Sequence, residues 1–260
     1  MLPVLFSIGP ITVYSLGFLL TVGAFLSSFV VWRRLRELGI KEEKTIDFIL
    51  TLAFFGLIFA RIIYIFWHFD QFGFSLSRWF LLGRYSGLSF WGGMLGFWLA
   101  LWLFIKREKK DFWQLADELS FGLLPLLILA KTGCFFDGCS LGKPTNLFWG
   151  IYFPGTFLRR QPVSALAVVF LFLIFLFLIW LERRWRLLAW YKSKACGFVF
   201  LTFLSLLFLV NFILAFWRDS QLYFYWVEIF LSLTGFLATV IVFYFRSGRK
   251  LRRQNEKKKS

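Results

Sequence analysis

Arg61, Lys131 and Glu228 are ionisable side chains that lie inside long apolar stretches of this 260-residue chain. A charge inside a membrane-spanning helix costs roughly 3 kcal/mol on insertion scales, so each of them requires a partner, a water-lined cavity or a functional role. Two such cations could bind an anionic group, for example the phosphate of a lipid headgroup. The alternatives are that they extend towards the lipid headgroups or pair with Glu228 inside the protein.

The segment that begins at Lys131, KTGCFFDGCSLGKPTNLFWGIYFP, has the composition of a backbone that turns sharply. Four glycines and two prolines lie in it, among them Gly133, Gly138, Gly142 and Pro144. Such backbone is tolerated at membrane depth only where protein or a water-lined cavity satisfies its polar groups. Because glycines let backbone N–H groups approach an anion, the segment is either a binding loop or an ordinary re-entrant turn.

The chain has three cysteines and a single histidine, His68. Three cysteines cannot form a disulfide framework, and their spacing relative to His68 does not match a zinc site, so we expect no metal cofactor. Cys134 and Cys139 are five residues apart and span a glycine. They could form a disulfide or remain two free thiols.

The composition excludes a soluble globular enzyme and a disordered protein, because 59% of the residues are hydrophobic and only 17% are charged. The net charge of +16 would suggest nucleic-acid binding in a soluble protein. In a membrane protein the same excess marks cytoplasmic loops and their attraction to anionic lipids. We therefore predict a membrane protein that binds no nucleic acid.

Seven apolar stretches are long enough to cross a bilayer, which takes about 20 residues. They cover residues 10–32, 46–69, 85–105, 115–136, 163–181, 195–217 and 222–245. The first stretch has no basic residues before it, so it is not predicted to be a cleaved signal peptide. The sequence predicts an all-α polytopic protein, with one seven-helix domain over residues 1–245 and a basic cytoplasmic tail over 246–260.

The basic residues are distributed unevenly between the loops on the two sides. Alternate loops and the tail hold 22 Lys and Arg residues, the remaining loops hold six, and two lie inside spans. The positive-inside rule then predicts an external N-terminus and a cytoplasmic C-terminus, which seven spans satisfy. In this orientation the unusual polar groups gather in the outer half of the membrane, and they include Tyr14, Arg61, Tyr64, His68, Trp91, Lys131 and Glu228.

The loop that begins at Lys131 resembles the signature R-x-G-C-F-x-N-G-C-C-x-G-x-P-T of the prolipoprotein diacylglyceryl transferase family. The residues in register are Lys131, Gly133, Cys134, Phe135, Asp137, Gly138, Cys139, Gly142, Pro144 and Thr145. Four further stretches resemble motifs of the same family, in the same order: Ile11 to Phe18, Ala60 to Tyr64, Gly87 to Gly93, and Phe216 to Asp219.

The resemblance implies an enzyme of the bacterial inner membrane that needs no cofactor. Family members transfer diacylglycerol from phosphatidylglycerol to the lipobox cysteine of a prolipoprotein signal peptide, forming a thioether and releasing glycerol phosphate. The leaving group is a phosphate ester, so nearby cations would stabilise its developing charge. The attacking thiol requires a base or a strongly positive environment.

Carried over onto this chain, the resemblance implies two sets of site residues. The predicted catalytic residues are Lys131, Tyr14, Asp137 and Arg218. The predicted substrate-binding residues are Lys131, Arg61, Tyr64, Trp91, Gly92, Gly93, Gly133, Cys134, Gly138, Cys139 and Gly142. The chain departs from the family pattern at Lys131 (arginine in the family), Trp91 (histidine), Asn211 (arginine) and Ala215 (glutamate).

These departures leave two hypotheses. The first is an active diacylglyceryl transferase whose base is Asp137, His68 or Tyr14. The second is a non-catalytic lipid- or lipoprotein-binding paralogue on the same scaffold. A transporter is disfavoured because no internal repeat is visible, and a retinal protein because the last span has no lysine.

Overall fold

The computed structural model describes residues 4–8, 11–74, 79, 87–153, 156–184, 195–219 and 222–247. The described residues form seven long helices and one short helix. In chain order these are α1 (Ser15–Glu37), α2 (Glu42–Trp67), α3 (Phe69–Phe72), α4 (Phe90–Glu108), α5 (Phe112–Asp137), α6 (Val163–Arg184), α7 (Phe198–Trp217) and α8 (Leu222–Arg246). Four short strands form two antiparallel hairpins, β1 (Val4–Ile8) with β2 (Ile11–Tyr14) and β3 (Ile151–Tyr152) with β4 (Arg159–Arg160).

Six of the long helices are long and apolar enough to cross a membrane, which makes the chain a multi-pass membrane protein. The exception is α4, whose 19 residues include three tryptophans, three glycines and the charged Lys106, Arg107 and Glu108. The seventh span and the orientation of the termini therefore remain predictions. Most of the predicted basic tail, from residue 248 onwards, lies outside the described residues.

The first predicted span begins later than expected, because Ile11–Tyr14 is a strand and the helix starts at Ser15. Ile11, Thr12 and Val13 are β-branched, a residue type that favours strands. The hairpin was not predicted, since four residues at the edge of an apolar run resemble the start of a helix.

The chain divides into two compact units, one formed by Met1–Val31 with Ala116–Ser260 and the other by Trp32–Leu115. In the first unit α7 is the most deeply buried span, with apolar residues on all sides, and it packs against both α6 and α8. A helix that is apolar all round is expected at the centre of a bundle. The prediction of a single seven-helix domain stays a prediction.

The start of α7 is held by a carboxylate from α5. Asp117 accepts hydrogen bonds from the backbone N–H groups of Gly197 and Phe200, at 2.6 and 2.7 Å. Arg246 donates to the carbonyl oxygen of Cys196 at 2.7 Å, on the residue before Gly197. The first N–H groups of a helix have no acceptor within the helix. The Asp117 carboxylate supplies this acceptor, because the residue that precedes α7 is a glycine with no side chain to do so.

In the second unit α2 and α4 pack along their length. The rings of Phe48 and Phe104 stack with centroids 4.1 Å apart. Towards the other end Gly92 and Gly96 lie directly against the α2 backbone at Phe59 and Phe55. Small residues at these positions let the two helices approach closely, as in other membrane helix pairs.

Candidate functional site

A cluster of three charged side chains forms in the first unit, from three separate parts of the chain. Lys131 projects from α5, Arg218 follows the last residue of α7, and Glu228 lies in α8. The Arg218 guanidinium donates to the Glu228 carboxylate at 2.5 Å. Lys131 lies within electrostatic range of both. The cluster thus holds two positive charges and one negative charge, all on side chains largely shielded from water.

The Lys131 ammonium differs from the other two charges in its partners. Within the described ranges of the chain it makes no hydrogen bond and no ion pair. A shielded ammonium normally satisfies its donors with carboxylates, carbonyls or water. This arrangement leaves Lys131 able to donate to a ligand that approaches the cluster.

The loop after α5 is held beside Arg218 by backbone hydrogen bonds on both of its edges. On one edge Lys143 N–H donates to the Trp217 carbonyl at 2.8 Å, and Asp219 N–H donates to the Leu141 carbonyl at 3.0 Å. Gly142 and Arg218 therefore lie opposite each other as an antiparallel bridge. Two motifs that are far apart in sequence meet here.

On the other edge the same loop segment pairs with β4. Thr145 N–H donates to the Arg159 carbonyl at 2.9 Å, and Pro144 bridges to Arg160. The Arg160 guanidinium then reaches across the loop, to the Gly142 carbonyl at 3.2 Å and to the Asp219 carboxylate at 2.5 Å. This cross-link fixes the segment that carries Arg218.

The remaining predicted residues of the loop follow closely along the chain. Cys134 is buried near the end of α5, with its sulfur 3.7 Å from the Ser164 hydroxyl oxygen. Asp137 is the last residue of α5 and is half-buried, and Gly138 follows with a φ of 74°. Gly133 packs against α1 at Leu16, where an added Cβ would lie 2.9 Å from the Leu16 Cα. Helix packing alone is thus a sufficient reason for glycine at 133.

Cys134 and Cys139 form a disulfide, with Cα atoms 5.2 Å apart, and Cys196 is a free cysteine. The sequence left this pairing open. We predict that alkylation of the denatured protein labels one thiol before reduction and three after it, as counted by intact mass. Three labelled thiols before reduction would contradict the disulfide.

Tyr14 ends β2 in the same unit, where it pairs with Val4. Its side chain is 48% exposed. The structure describes no hydrogen bond between Tyr14 and Lys131, Arg218 or Glu228, so its predicted catalytic role stays a prediction.

In the second unit the Arg61 side chain contacts two residues that precede α4. Its guanidinium donates to the carbonyl oxygens of Trp79 and Gly87, each at 3.0 Å, and lies 5.0 Å above the Phe72 ring. Ser89 N–H donates to the Ala60 carbonyl at 3.0 Å. Two more of the family-like motifs, at residues 60–64 and 87–93, are therefore joined. Arg61 is buried at 7% exposure.

Tyr64 lies in the last turn of α2, and His68 is the residue that follows the helix. Their rings stack with centroids 4.3 Å apart, and the Tyr64 ring fills the space beside Gly87 that a side chain at 87 would need. The His68 Nδ1 lies 3.1 Å from the Tyr64 carbonyl oxygen. Trp91 is half-buried in the first turn of α4, where the Ser89 side chain accepts a hydrogen bond from Gly92 N–H at 3.4 Å.

Substitution by alanine is predicted to change the stability of the protein differently at the adjacent Gly92 and Gly93. A Cβ at Gly92 would collide with the Phe59 carbonyl, whereas at Gly93 it would lie 3.8 Å from the Ala60 Cβ, an ordinary contact. We expect Gly92→Ala to destabilise the protein by about 1–3 kcal/mol, as overpacking does. Gly93→Ala should be neutral or stabilising by up to about 1 kcal/mol through helix propensity. Thermal unfolding in detergent tests this, and equal midpoints for the two variants would contradict the close approach.

No group of three His, Cys, Asp or Glu side chains among the described residues could hold a metal ion. The first unit contains the charged cluster, the disulfide and the hydrogen-bonded loop backbone. Cations of this kind can bind an anion and stabilise a charge that develops on it.

The helices define a multi-pass membrane protein, and the charged cluster lies near the ends of three of its helices. The sequence model of the prolipoprotein diacylglyceryl transferase family matches residues 3–245. The chain belongs to this family.

Several relatives carry the name phosphatidylglycerol–prolipoprotein diacylglyceryl transferase. The one from Tolumonas auensis is 29% identical over 223 residues, which is 84% of this chain and 83% of the relative. The one from Pseudoalteromonas atlantica is 34% identical over 66% of this chain and 63% of the relative. For the relative from Trichormus variabilis the identity is 30% over 62% of this chain, and the match spans only 55% of that relative's length.

Sequence reasoning missed two contacts that shape the site. The Arg160–Asp219 pair joins residues 59 apart, and the Asp117 cap joins α5 to residues 80 and 83 positions later. The sequence around a charged residue in a loop or at the end of a span does not indicate which residue it pairs with. For Asp117 there was one indication, because an acidic residue within a predicted span is expected to have a partner.

Proposed function

We propose that this protein transfers diacylglycerol from phosphatidylglycerol to the cysteine thiol of a prolipoprotein, at the outer face of the bacterial inner membrane. Membership of the family supports the reaction class. The observation that carries the proposal is the shielded Lys131 ammonium, which has no hydrogen-bond partner among the described residues and lies beside the Arg218–Glu228 pair.

The net positive charge of the cluster is complementary to the negative charge of a phosphodiester. Lys131 and Arg218 carry two positive charges, and Glu228 offsets one of them. The headgroup phosphate of phosphatidylglycerol carries one negative charge, so a bound donor lipid would make the site neutral. Lysine supplies charge without the two-pronged geometry of arginine, so Arg218 would provide the directional contacts.

In the proposed reaction the prolipoprotein sulfur attacks the glycerol carbon that carries the phosphate ester. A carbon–sulfur bond forms while the carbon–oxygen bond breaks, and glycerol phosphate leaves with the electron pair of that bond. Negative charge grows on the leaving oxygen, where Lys131 and Arg218 would stabilise it. The thiol proton passes to a base.

Asp137 is the base candidate that lies on the same helix as Lys131. It is six residues further along α5, or roughly 9 Å at 1.5 Å per residue. His68 and Tyr14 are the other candidates, and Trp91 cannot accept a proton. We propose that Arg61 and Tyr64, with Trp91, Gly92 and Gly93, form a lipid-binding surface of the second unit, because the two motifs that contain them are joined by hydrogen bonds.

The proposed acceptor is the lipobox cysteine of a signal peptide that emerges at the outer face. The names of the relatives support both phosphatidylglycerol and a prolipoprotein as substrates. The proposed location, the bacterial inner membrane, is where both substrates would meet.

A second candidate function is binding without transfer. Asn211 donates its side-chain amide to the Leu207 carbonyl of its own helix, and Ala215 is buried at 1% exposure. The two positions where the family pattern has arginine and glutamate thus hold residues that contribute no charge. A binding paralogue would keep the cations and tolerate loss of every base candidate.

Complementation of a strain depleted of its own diacylglyceryl transferase tests the proposal. We expect a reporter lipoprotein from the complemented strain to carry a thioether-linked diacylglycerol, detected by mass spectrometry. An unmodified reporter, from cells where the protein is well expressed and inserted, would contradict it. Co-purification of unmodified reporter with the protein would then favour the binding function.

A further inference from the structure

The loop between α5 and α6 exposes a dense group of large apolar side chains. We call residues 147–153 and 156–158 the aromatic loop. Seven of its described residues are more than a third exposed: Leu147, Phe148, Trp149, Ile151, Tyr152, Phe157 and Leu158. Phe157 is fully exposed and Phe148 is 87% exposed. A group of this size marks an interaction surface in a protein or a membrane-contacting region.

The backbone that carries these side chains is well supported. Ile151 and Tyr152 pair with Arg160 and Arg159. Phe153 is buried at 4% exposure and anchors the turn, since its carbonyl accepts hydrogen bonds from the Thr156 N–H and hydroxyl. The exposed side chains therefore project from a hydrogen-bonded backbone, while the Phe153 side chain is buried.

The position of the loop brings these side chains close to lipid. The connection that contains it joins two membrane spans, since α5 ends at Asp137 and α6 begins at Val163. The adjoining span α6 also exposes apolar side chains, among them Phe172 and Leu176. The apolar surface of the loop thus adjoins surface that must face acyl chains.

Basic residues accompany the aromatic ones. Lys143 and Arg159 are exposed, and their charged groups lie 4.9 Å above the Tyr225 ring and 5.3 Å above the Tyr152 ring. Aromatic and basic side chains together are typical of the interfacial region of a bilayer that contains anionic lipids. A signal peptide is a poorer match, because its charged region is positive.

We infer that the aromatic loop is a membrane-docking surface. Its apolar side chains insert at the boundary between headgroups and acyl chains of the leaflet at the C-terminal end of α5, and Lys143 and Arg159 contact anionic headgroups. This inference does not depend on whether the protein transfers diacylglycerol.

Site-specific fluorescence quenching tests the inference on the full-length protein. A nitrobenzoxadiazole probe is attached at Phe157→Cys, in a Cys196→Ser background that leaves the Cys134–Cys139 disulfide in place. The protein is reconstituted in phosphatidylcholine vesicles with and without phosphatidylglycerol. We expect strong quenching by a nitroxide on the upper acyl chain and weak quenching by aqueous iodide, which corresponds to a depth of about 5–10 Å below the headgroup surface.

Three further positions calibrate the result. Leu176→Cys in α6 is the lipid-facing reference, Lys110→Cys is the water-facing reference, and Tyr152→Cys repeats the test at a second position in the loop. Removing phosphatidylglycerol should weaken nitroxide quenching at 157 and 152 and leave Leu176→Cys unchanged.

Iodide quenching at 157 and 152 equal to that at position 110, without nitroxide quenching, would overturn the inference. Probes shielded from both quenchers only when a lipobox peptide is added would assign the surface to the precursor and would also overturn it. Quenching that is independent of phosphatidylglycerol would overturn the proposed role of Lys143 and Arg159.

Discussion

Replacing Lys131 with alanine is expected to lower the rate of diacylglyceryl transfer by about 10²–10³-fold, the usual effect of removing one donor that stabilises developing charge. Lys131 is the cation of the cluster whose donors have no protein acceptor within the described residues, so its interactions remain available for the lipid phosphate. The measurement is the initial rate of product formation by purified protein in phosphatidylglycerol vesicles with a lipobox peptide.

Two variants control this experiment. Lys131→Arg restores the residue type of the family signature and should recover most of the activity. Lys110→Ala removes an exposed lysine between α4 and α5 and should leave the rate unchanged. A Lys131→Ala variant that is as active as Lys110→Ala would remove Lys131 from the mechanism.

Replacing Asp117 with alanine is expected to destabilise the protein by about 2–4 kcal/mol, because two backbone N–H groups of α7 lose a charged acceptor in a buried setting. The start of α7 would then lack its cap, and α7 packs against both α6 and α8. The effect should appear as a lower midpoint of thermal unfolding in detergent.

Asp47→Ala is the matched control for this prediction, since Asp47 is an exposed carboxylate on α2 and surface substitutions usually change stability by less than about 0.5 kcal/mol. Asp117→Asn keeps the shape and one acceptor oxygen, so its midpoint should fall between those of the wild-type protein and Asp117→Ala. Equal midpoints for Asp47→Ala and Asp117→Ala would show that the cap does not contribute to stability.

The membrane-spanning helices are predictable from sequence because their signal is local. A run of about 20 apolar residues is sufficient evidence, and six helices long and apolar enough to cross the membrane are confirmed. The region of α4 remains ambiguous for the same reason, since its tryptophans, glycines and terminal charges weaken the local signal. Ile11–Tyr14 was assigned to a helix because four residues are too few to reveal a strand.

The partners of the site residues are much harder to predict. Lys131 and Arg218 are identifiable from their residue types and motifs, but the contact between Arg218 and Glu228 depends on how α8 packs. The bridge between Gly142 and Arg218 joins loops that are 76 residues apart, and no periodicity encodes such a contact. Residue identity thus gives the chemistry of the site, while tertiary packing gives its geometry.

Mass spectrometry of a purified reaction shows whether this protein forms a thioether. Protein in vesicles of isotope-labelled phosphatidylglycerol is mixed with a lipobox peptide, and the peptide and the released glycerol phosphate are measured together. We expect a peptide whose cysteine gains one labelled diacylglyceryl group for each glycerol phosphate released, with both products reduced to the same extent in Lys131→Ala. A peptide that binds the protein and leaves unmodified, with no glycerol phosphate released, would contradict the proposed transfer.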